Sequence, residues 1–235
     1  DALDGQDPPA LEPFNPIVNA EQLAVVEVFL KSKTGDVSPR PVCLFGPPGT
    51  GKSVTVVEAV RQTLAGDPAA KILVCAPSNF AADLLASQLA ADPSGQGNRL
   101  SGGYLVRINA ANRSVESVKA DVLPFCFTHT HKEGSEDSFD ESAAVRAALD
   151  ASCGIIVATC GAATLLARRM AGKKADRRIS HVCIDEAGQA LFPEALAPWV
   201  AAMAASPSQA MLGLSDPEPL MLLAGDPRQL GPNVH

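Results

Sequence analysis

Three groups of residues in this chain have types and spacings suited to phosphate chemistry. The first is the run GPPGTGKS, comprising Gly46, Pro47, Pro48, Gly49, Thr50, Gly51, Lys52 and Ser53. Glycines let backbone N–H groups wrap phosphate oxygens, the lysine reaches the β- and γ-phosphates, and the serine hydroxyl can ligate Mg²⁺. The second is Asp185 and Glu186 in HVCIDEAGQA. Metal-assisted hydrolysis needs both carboxylates, one to hold the hydration shell of Mg²⁺ and one to orient and deprotonate the attacking water. Asp-Glu after a strand also occurs as a plain helix cap. The third is GDPRQL, where Gln229 follows Asp226. A glutamine amide can donate to a γ-phosphate and accept from water, although Asp-Pro after a strand can also be a simple turn. Lys52, Glu186 and Gln229 are therefore the expected catalytic residues, and Ser53 and Asp185 the expected metal ligands.

Weaker signals accompany these. In VNAEQL, Gln22 offers an amide that can pair with an adenine edge, while Asn19 reads equally as a helix cap. The guanine-reading pattern NKxD is absent, which favours ATP as the nucleotide. Ser78 and Asn79 in APSNFAAD, and Thr159 in ATCGAA, can bond a sugar-phosphate backbone without reading bases. Helix capping explains them equally well. LSGGY at 100–104 imitates a transporter signature but lacks its glutamine and leads into a strand, so it reads as a turn. Cys126, His129 and His131 in CFTHTH are three potential metal ligands, but no second cluster follows at zinc-site spacing.

These residues need a scaffold that brings strand ends together. Apolar runs at 41–45, 71–76, 104–108, 154–159, 181–185 and 220–224 are strand candidates, and helical patterns cover 20–31, 52–65, 79–91, 161–170 and 193–204. Near-continuous apolar strands alternating with helices predict a doubly wound α/β fold, with a mostly parallel sheet covered on both faces. In such sheets ligands bind at the carboxyl ends of the strands, where all three groups fall. Ser53, Val57, Val60 and Leu64 form one stripe of the helix after GKS, as packing on a sheet requires. The polar stretch 112–150 breaks the rhythm and reads as an insertion. No internal repeat is present.

A chain of 235 residues with 46% hydrophobic content can bury a core of one domain, at most two. No apolar run reaches the roughly 18 to 20 residues of a membrane span, and no leader pattern opens the chain. The Pro- and Asp-rich start reads as a loose edge of an excised segment, with 1–13 flexible and the domain covering 14–235. The six cysteines are scattered without a CxxC pair, as in a reducing, cytoplasmic compartment. A net charge of −7 argues against adhesion to nucleic acid through bulk charge, so any contact must be local. Residues 131–141 hold five acids against one lysine, and 168–178 six basic residues against one aspartate; both read most simply as solvated surface.

Taken in order, VNAEQ, GPPGTGKS, APSN, VATCGAA, DEAGQA and GDPRQLGP resemble the superfamily 1B helicases of the up-frameshift-like group, and DEAGQA with PEAL is most similar to the Armitage-like, Moloney-leukaemia-virus-10 type of RNA helicase. The resemblance spans about 14–235 and implies a RecA-like P-loop domain, ATP with Mg²⁺, and movement on single-stranded RNA with 5′-to-3′ unwinding in the full protein. It makes Gln22 the adenine contact, Lys52 and Ser53 the phosphate and Mg²⁺ contacts, Asp185 and Glu186 the hydrolytic pair, Gln229 the γ-phosphate sensor, and Ser78, Asn79 and Thr159 the backbone contacts to RNA. It matches 112–150 to a helical RNA-gripping subdomain, which the acidic tract complicates. Phe80 departs from the small residue expected after APSN, leaving a stacking ring and a buried ring both open. The resemblance also implies a second RecA-like domain of the same protein, with an arginine finger worth about 10³ to 10⁵ in turnover, so the chain alone is expected to bind ATP and hydrolyse it slowly. Protein partners in RNA-silencing or RNA-decay complexes, and none in a membrane, complete that picture. Two other readings are a ring-forming AAA-type ATPase, which leaves APSN and GDPRQL unexplained, and a nucleotide-dependent binding module without catalysis.

Overall fold

A computed structural model describes residues 11–32, 40–91, 103–129, 137–170, 178–204, 218–229 and 231. Six strands build the main sheet: β1 (Val42–Phe45), β2 (Ile72–Ala76), β3 (Leu105–Ile108), β6 (Ile155–Thr159), β7 (His181–Ile184) and β8 (Leu220–Gly225). Their order is β1-β8-β7-β2-β6-β3, and every pairing is parallel. Two-residue strands β4 (Thr128–His129) and β5 (Ser138–Phe139) pair separately as an antiparallel ribbon.

The inner strands are apolar along their length because both faces are covered, whereas edge strand β1 leaves Cys43 and Phe45 on an exposed face, a departure from the expected two-sided cover. In β2 every residue is buried, and alternate side chains serve two cores. Ile72, Val74 and Ala76 join Val26 and Phe29 of α1 (Ala20–Lys31), Val56 and Val60 of α2 (Lys52–Gly66), and Leu85 of α3 (Asn79–Ala90). Leu73 and Cys75 join Val145 of α4 (Glu141–Leu149), Leu166 of α5 (Ala163–Met170) and Ala201 of α6 (Phe192–Ala204). Each large aliphatic chain so buried contributes about 1.5–3 kcal/mol.

Two sequence expectations are refined. On α2 the stripe holds at Val57 and Val60, while Ser53 and Leu64 are only partly covered and burial extends to Thr55, Val56, Glu58, Ala59, Gln62 and Thr63. The cause is that α1 and α3 flank this helix, so most of its circumference faces protein. The stretch 112–150 holds two short 3₁₀ turns, the β4–β5 ribbon and α4. Helix α4 packs on β3 through Ala144, Val145 and Ala148, which makes it the crossover helix between β3 and β6 as well as the end of the polar stretch. Asp140 caps it, accepting from the Ala143 N–H at 2.8 Å.

Of the segment 1–13, residues 11–13 are described: Leu11 packs on the first core and the Glu12 carbonyl accepts from Gln62 Nε2 at 2.6 Å. Residues 100–102, most of the acidic tract (131–136) and most of the basic run (171–177) lie outside the described residues. Among the described residues no helix is long and apolar enough to cross a membrane.

Candidate nucleotide site and the adjoining strand-end surface

The loop after β1 turns from strand to helix with Gly49 at φ 76° and Gly51 at φ 80°, left-handed values that strain any other residue. A Cβ on Gly51 would also lie 2.4 Å from Gln22 Nε2, so the Gln22 amide would have to move. Lys52 opens α2 and is buried, and its ammonium donates to the carbonyls of Gly46 at 2.8 Å and Pro47 at 3.0 Å. The positive charge is thus held at the mouth of a cavity of ≈790 Å³ lined by Asn19, Gln22, Gly46, Gly49, Thr50 and Lys52. A cation, a helix N-terminus and a glycine-rich loop lining one cavity have the chemistry to hold a polyphosphate.

Gln22 lies on the wall of that cavity with its amide already engaged. Its Oε1 accepts from the Asn19 N–H at 2.9 Å while Asn19 Oδ1 accepts from the Gln22 N–H at 2.9 Å, a reciprocal capping box that starts α1. Its Nε2 donates to the Thr50 carbonyl at 3.0 Å, tying α1 to the phosphate loop. Buried Glu58 tethers the approach, accepting from the N–H groups of Phe14 at 2.8 Å and Asn15 at 3.2 Å. Sequence reading missed Glu58; the available signal was a carboxylate between Val57 and Ala59 on an otherwise apolar helix flank.

Strand β7 ends in the acidic pair. Asp185 is buried, and the Ser53 hydroxyl lies near enough to act on its carboxyl, so the two expected metal ligands are neighbours. Burial pushes the Asp185 carboxyl above its ordinary range, opposed by the Ser53 hydroxyl, the Glu186 N–H and the charge of Lys52. A hydroxyl and a buried carboxylate oxygen suit a hard cation such as Mg²⁺, which takes one or two protein carboxylates and fills its other positions with water and phosphate. Glu186 adopts φ 52° and ψ 35°, the one positive-φ residue besides glycine among those described. That strain turns the chain sharply after Asp185, and the Glu186 carboxylate accepts from Gln189 Nε2 at 3.2 Å. Glu186 stands at the N-cap position of the 3₁₀ turn Ala187–Gln189 but makes no side-chain capping bond.

Strand β8 lies between β1 and β7 and brings the third group to the same edge. The approach is close: a Cβ on Gly225 would lie 3.0 Å from the Gly188 nitrogen, and one on Gly188 3.2 Å from the Asp226 carbonyl oxygen. Gln229 is held to Asp226, with its N–H to the carbonyl at 3.2 Å and its Nε2 to Oδ2 at 3.4 Å. It lines a second cavity of ≈550 Å³ with Pro48, Ser78, Gln189 and Glu194. The phosphate loop, the turn after β2, the turn after β7 and the turn after β8 thus share one opening.

Ser78 caps α3, Thr159 braces the turn before α5, and each keeps a donor free. Ser78 Oγ accepts from the Ala81 N–H at 3.2 Å and Thr159 Oγ1 from the Ala162 N–H at 3.0 Å, which leaves each O–H to donate elsewhere. Asn79 is different: its Oδ1 accepts from Arg107 Nη2 at 3.0 Å. Arg107, fully buried on β3, also donates through Nε to Asp83 Oδ1 at 2.9 Å, and Arg113 binds the same carboxylate from the polar stretch at 3.0 and 2.5 Å. Burial pushes the Asp83 carboxyl up, but the bonds and charges of Arg113 and Arg107 outweigh it and the net shift is downward. Sequence reading missed this network; an arginine inside the apolar run LVRI was the signal. Cys126 accepts from Asn109 Nδ2 at 3.2 Å, and burial pushes its thiol up to about 11, while His129 faces Asp140 at 3.3 Å. His131 lies outside the described residues.

A parallel sheet that places a glycine-rich loop, an Asp-Glu strand end and a glutamine-bearing strand end along one edge is a RecA-like P-loop domain. The chain belongs to the AAA_11 family, whose model, described as an AAA domain, matches residues 18–149. It is 40% identical over 225 residues to RNA helicase Mov10l1 of Homo sapiens, covering 95% of this chain and 15% of that protein. It is 29% identical over 230 residues to Probable RNA helicase armi of Drosophila melanogaster, covering 94% of this chain and 17% of the relative. The chain therefore spans under a fifth of these relatives, which are of the group that the ordered motifs resemble. The fold is similar to that of DEAD-box helicase Mss116 bound to ssRNA and UDP-BeF, with a TM-score of 0.55 at 15% identity, over 90% of this chain and 36% of that one.

Proposed function

We propose that residues 14–235 form the first RecA-like motor domain of an ATP-dependent RNA helicase, in which ATP hydrolysis drives movement on single-stranded RNA. The observation that carries this reading is the approach of the Ser53 hydroxyl to the buried Asp185 carboxyl, with the charge of Lys52 acting on the same group. In this reading Lys52 exchanges its two carbonyl partners for β- and γ-phosphate oxygens, and Ser53 and Asp185 hold Mg²⁺, which when bound neutralises charge on the phosphates. Glu186 orients the attacking water and takes its proton, and Gln229 reports on the γ-phosphate from the far side of the opening. Gln22 reads adenine once its amide leaves the Thr50 carbonyl. Ser78, Asn79 and Thr159 touch the RNA backbone. A second RecA-like domain with an arginine finger completes the site in the full protein, which works in the cytoplasm with partners in RNA silencing or decay.

Calorimetry with Mg²⁺-ATP tests the nucleotide site. Lys52→Ala is expected to abolish binding, and equal affinity of variant and unsubstituted chain would sink the assignment. RNA-stimulated hydrolysis by the chain alone is expected to be negligible; robust unwinding without the second domain would overturn the proposed division of labour.

A further inference from the structure

We propose that Phe80 is a base-stacking platform on the RNA path, with Asn79 donating to the adjoining phosphate and Lys119 closing over the ring. This rests on the reading of the domain as a motor on single-stranded RNA. The ring is not buried: Phe80 is 69% exposed at the second position of α3, in a turn where Ser78 and Asn79 are exposed too. The next residues inward, Ala82 and Asp83, are buried, so the turn is anchored while its tip is open.

Among the described residues a single cation lies near the ring. Lys119 Nζ lies 5.3 Å from the ring centroid, a cation–π distance. Its segment is fastened on both sides, since Val118 and Val122 enter the first core, Asp121 accepts from the Ser87 hydroxyl of α3, and Arg113 binds Asp83. Asn79 supplies the directional element. Arginine has only donors, so the group facing Arg107 must be the Asn79 oxygen, and the amino group is turned to the surface as a donor. Arg107 is itself fully buried against Asp83, which removes the freedom of the amide to flip.

An outward N–H donor on Asn79, the exposed ring of Phe80 beside it and the Lys119 ammonium near that ring match the two halves of a nucleotide, an anionic phosphate and a π-faced base. An apolar protein surface would satisfy the ring and leave the donor and the ammonium unpaired. Stacking of this kind tolerates any base, as a translocating motor requires.

The test is fluorescence-anisotropy titration of a labelled oligouridylate and of an abasic oligoribonucleotide of equal length, using the chain, Phe80→Ala and Phe80→Trp. Phe80→Ala is expected to weaken oligouridylate binding by about 5- to 100-fold and abasic binding by less than about twofold, with Phe80→Trp restoring affinity. Equal losses on both oligomers, or no loss on either, would overturn the stacking role and leave RNA binding standing. Failure of the unsubstituted chain to bind either oligomer would overturn both readings together.

Discussion

Asp83→Asn isolates the charge network that joins the sheet, α3 and the polar stretch. The Asp83 side chain is 4% exposed and accepts three bonds from guanidinium groups, at 2.9 Å from Arg107 and at 3.0 and 2.5 Å from Arg113. The amide keeps the shape but removes the negative charge, leaving Arg107 at 0% side-chain exposure and Arg113 at 9% without a counterion. Removing one partner of a buried ion pair costs about 3–5 kcal/mol, against a total domain stability of about 5–15 kcal/mol. For a domain of this size the melting temperature should fall by about 6–20 °C. Urea denaturation of both forms between pH 7 and pH 3 measures the difference. The Asp83 carboxyl lies below its ordinary value of 3.8 in the folded protein, so its contribution is complete above that value and is lost as pH falls through the lowered one. The gap between wild type and variant should therefore be constant from pH 7 to about 5 and close below about 4. A loss below about 1 kcal/mol at pH 7 would show that the network is a solvated cluster of surface type.

Three further outcomes are expected. Glu186→Gly should stabilise the chain by about 1 kcal/mol, because a left-handed residue with a Cβ carries about 1–2 kcal/mol of strain, and should abolish ATP turnover in the full-length protein; melting curves and phosphate release check the two effects. Asp185→Asn should raise the melting temperature at pH 7: the raised carboxyl value means that the wild-type contribution is fullest below 3.8 and falls as pH rises through the folded value. That advantage should vanish in melts at about pH 3. Gly225→Ala should cost about 1–3 kcal/mol in urea denaturation, because the new methyl meets backbone, the Gly188 nitrogen at 3.0 Å, and not a side chain that can swing away.

What was legible in the sequence is what contiguous residues decide. The runs VCLF, ILVCA, IIVAT and HVCI form strands where their composition predicts, since apolarity on both faces is a local property of a strand in a parallel sheet. The GPPGTGKS loop likewise depends on its own glycines and the helix behind it. Helix α4 carries a clear cap and an alanine-rich face in DESAAVRAAL, but the neighbouring acids drew it into the insertion. The sequence left Asn19 and Gln22 divided between capping and adenine contact, and the structure has them doing the first while both line the cavity beside the glycine-rich loop.

By itself, then, the sequence determined the element types and which residue types stand at the ends of β1, β7 and β8, because both follow from interactions within a few positions. Only the tertiary structure decided that β8 separates β1 from β7, that Ser53 meets Asp185, that Glu58 tethers the segment before α1, and which way the Asn79 amide points. Each of these depends on groups far apart in the chain being brought together, and at Glu58 and Arg107 the charge is buried where leaving it unpaired is too costly.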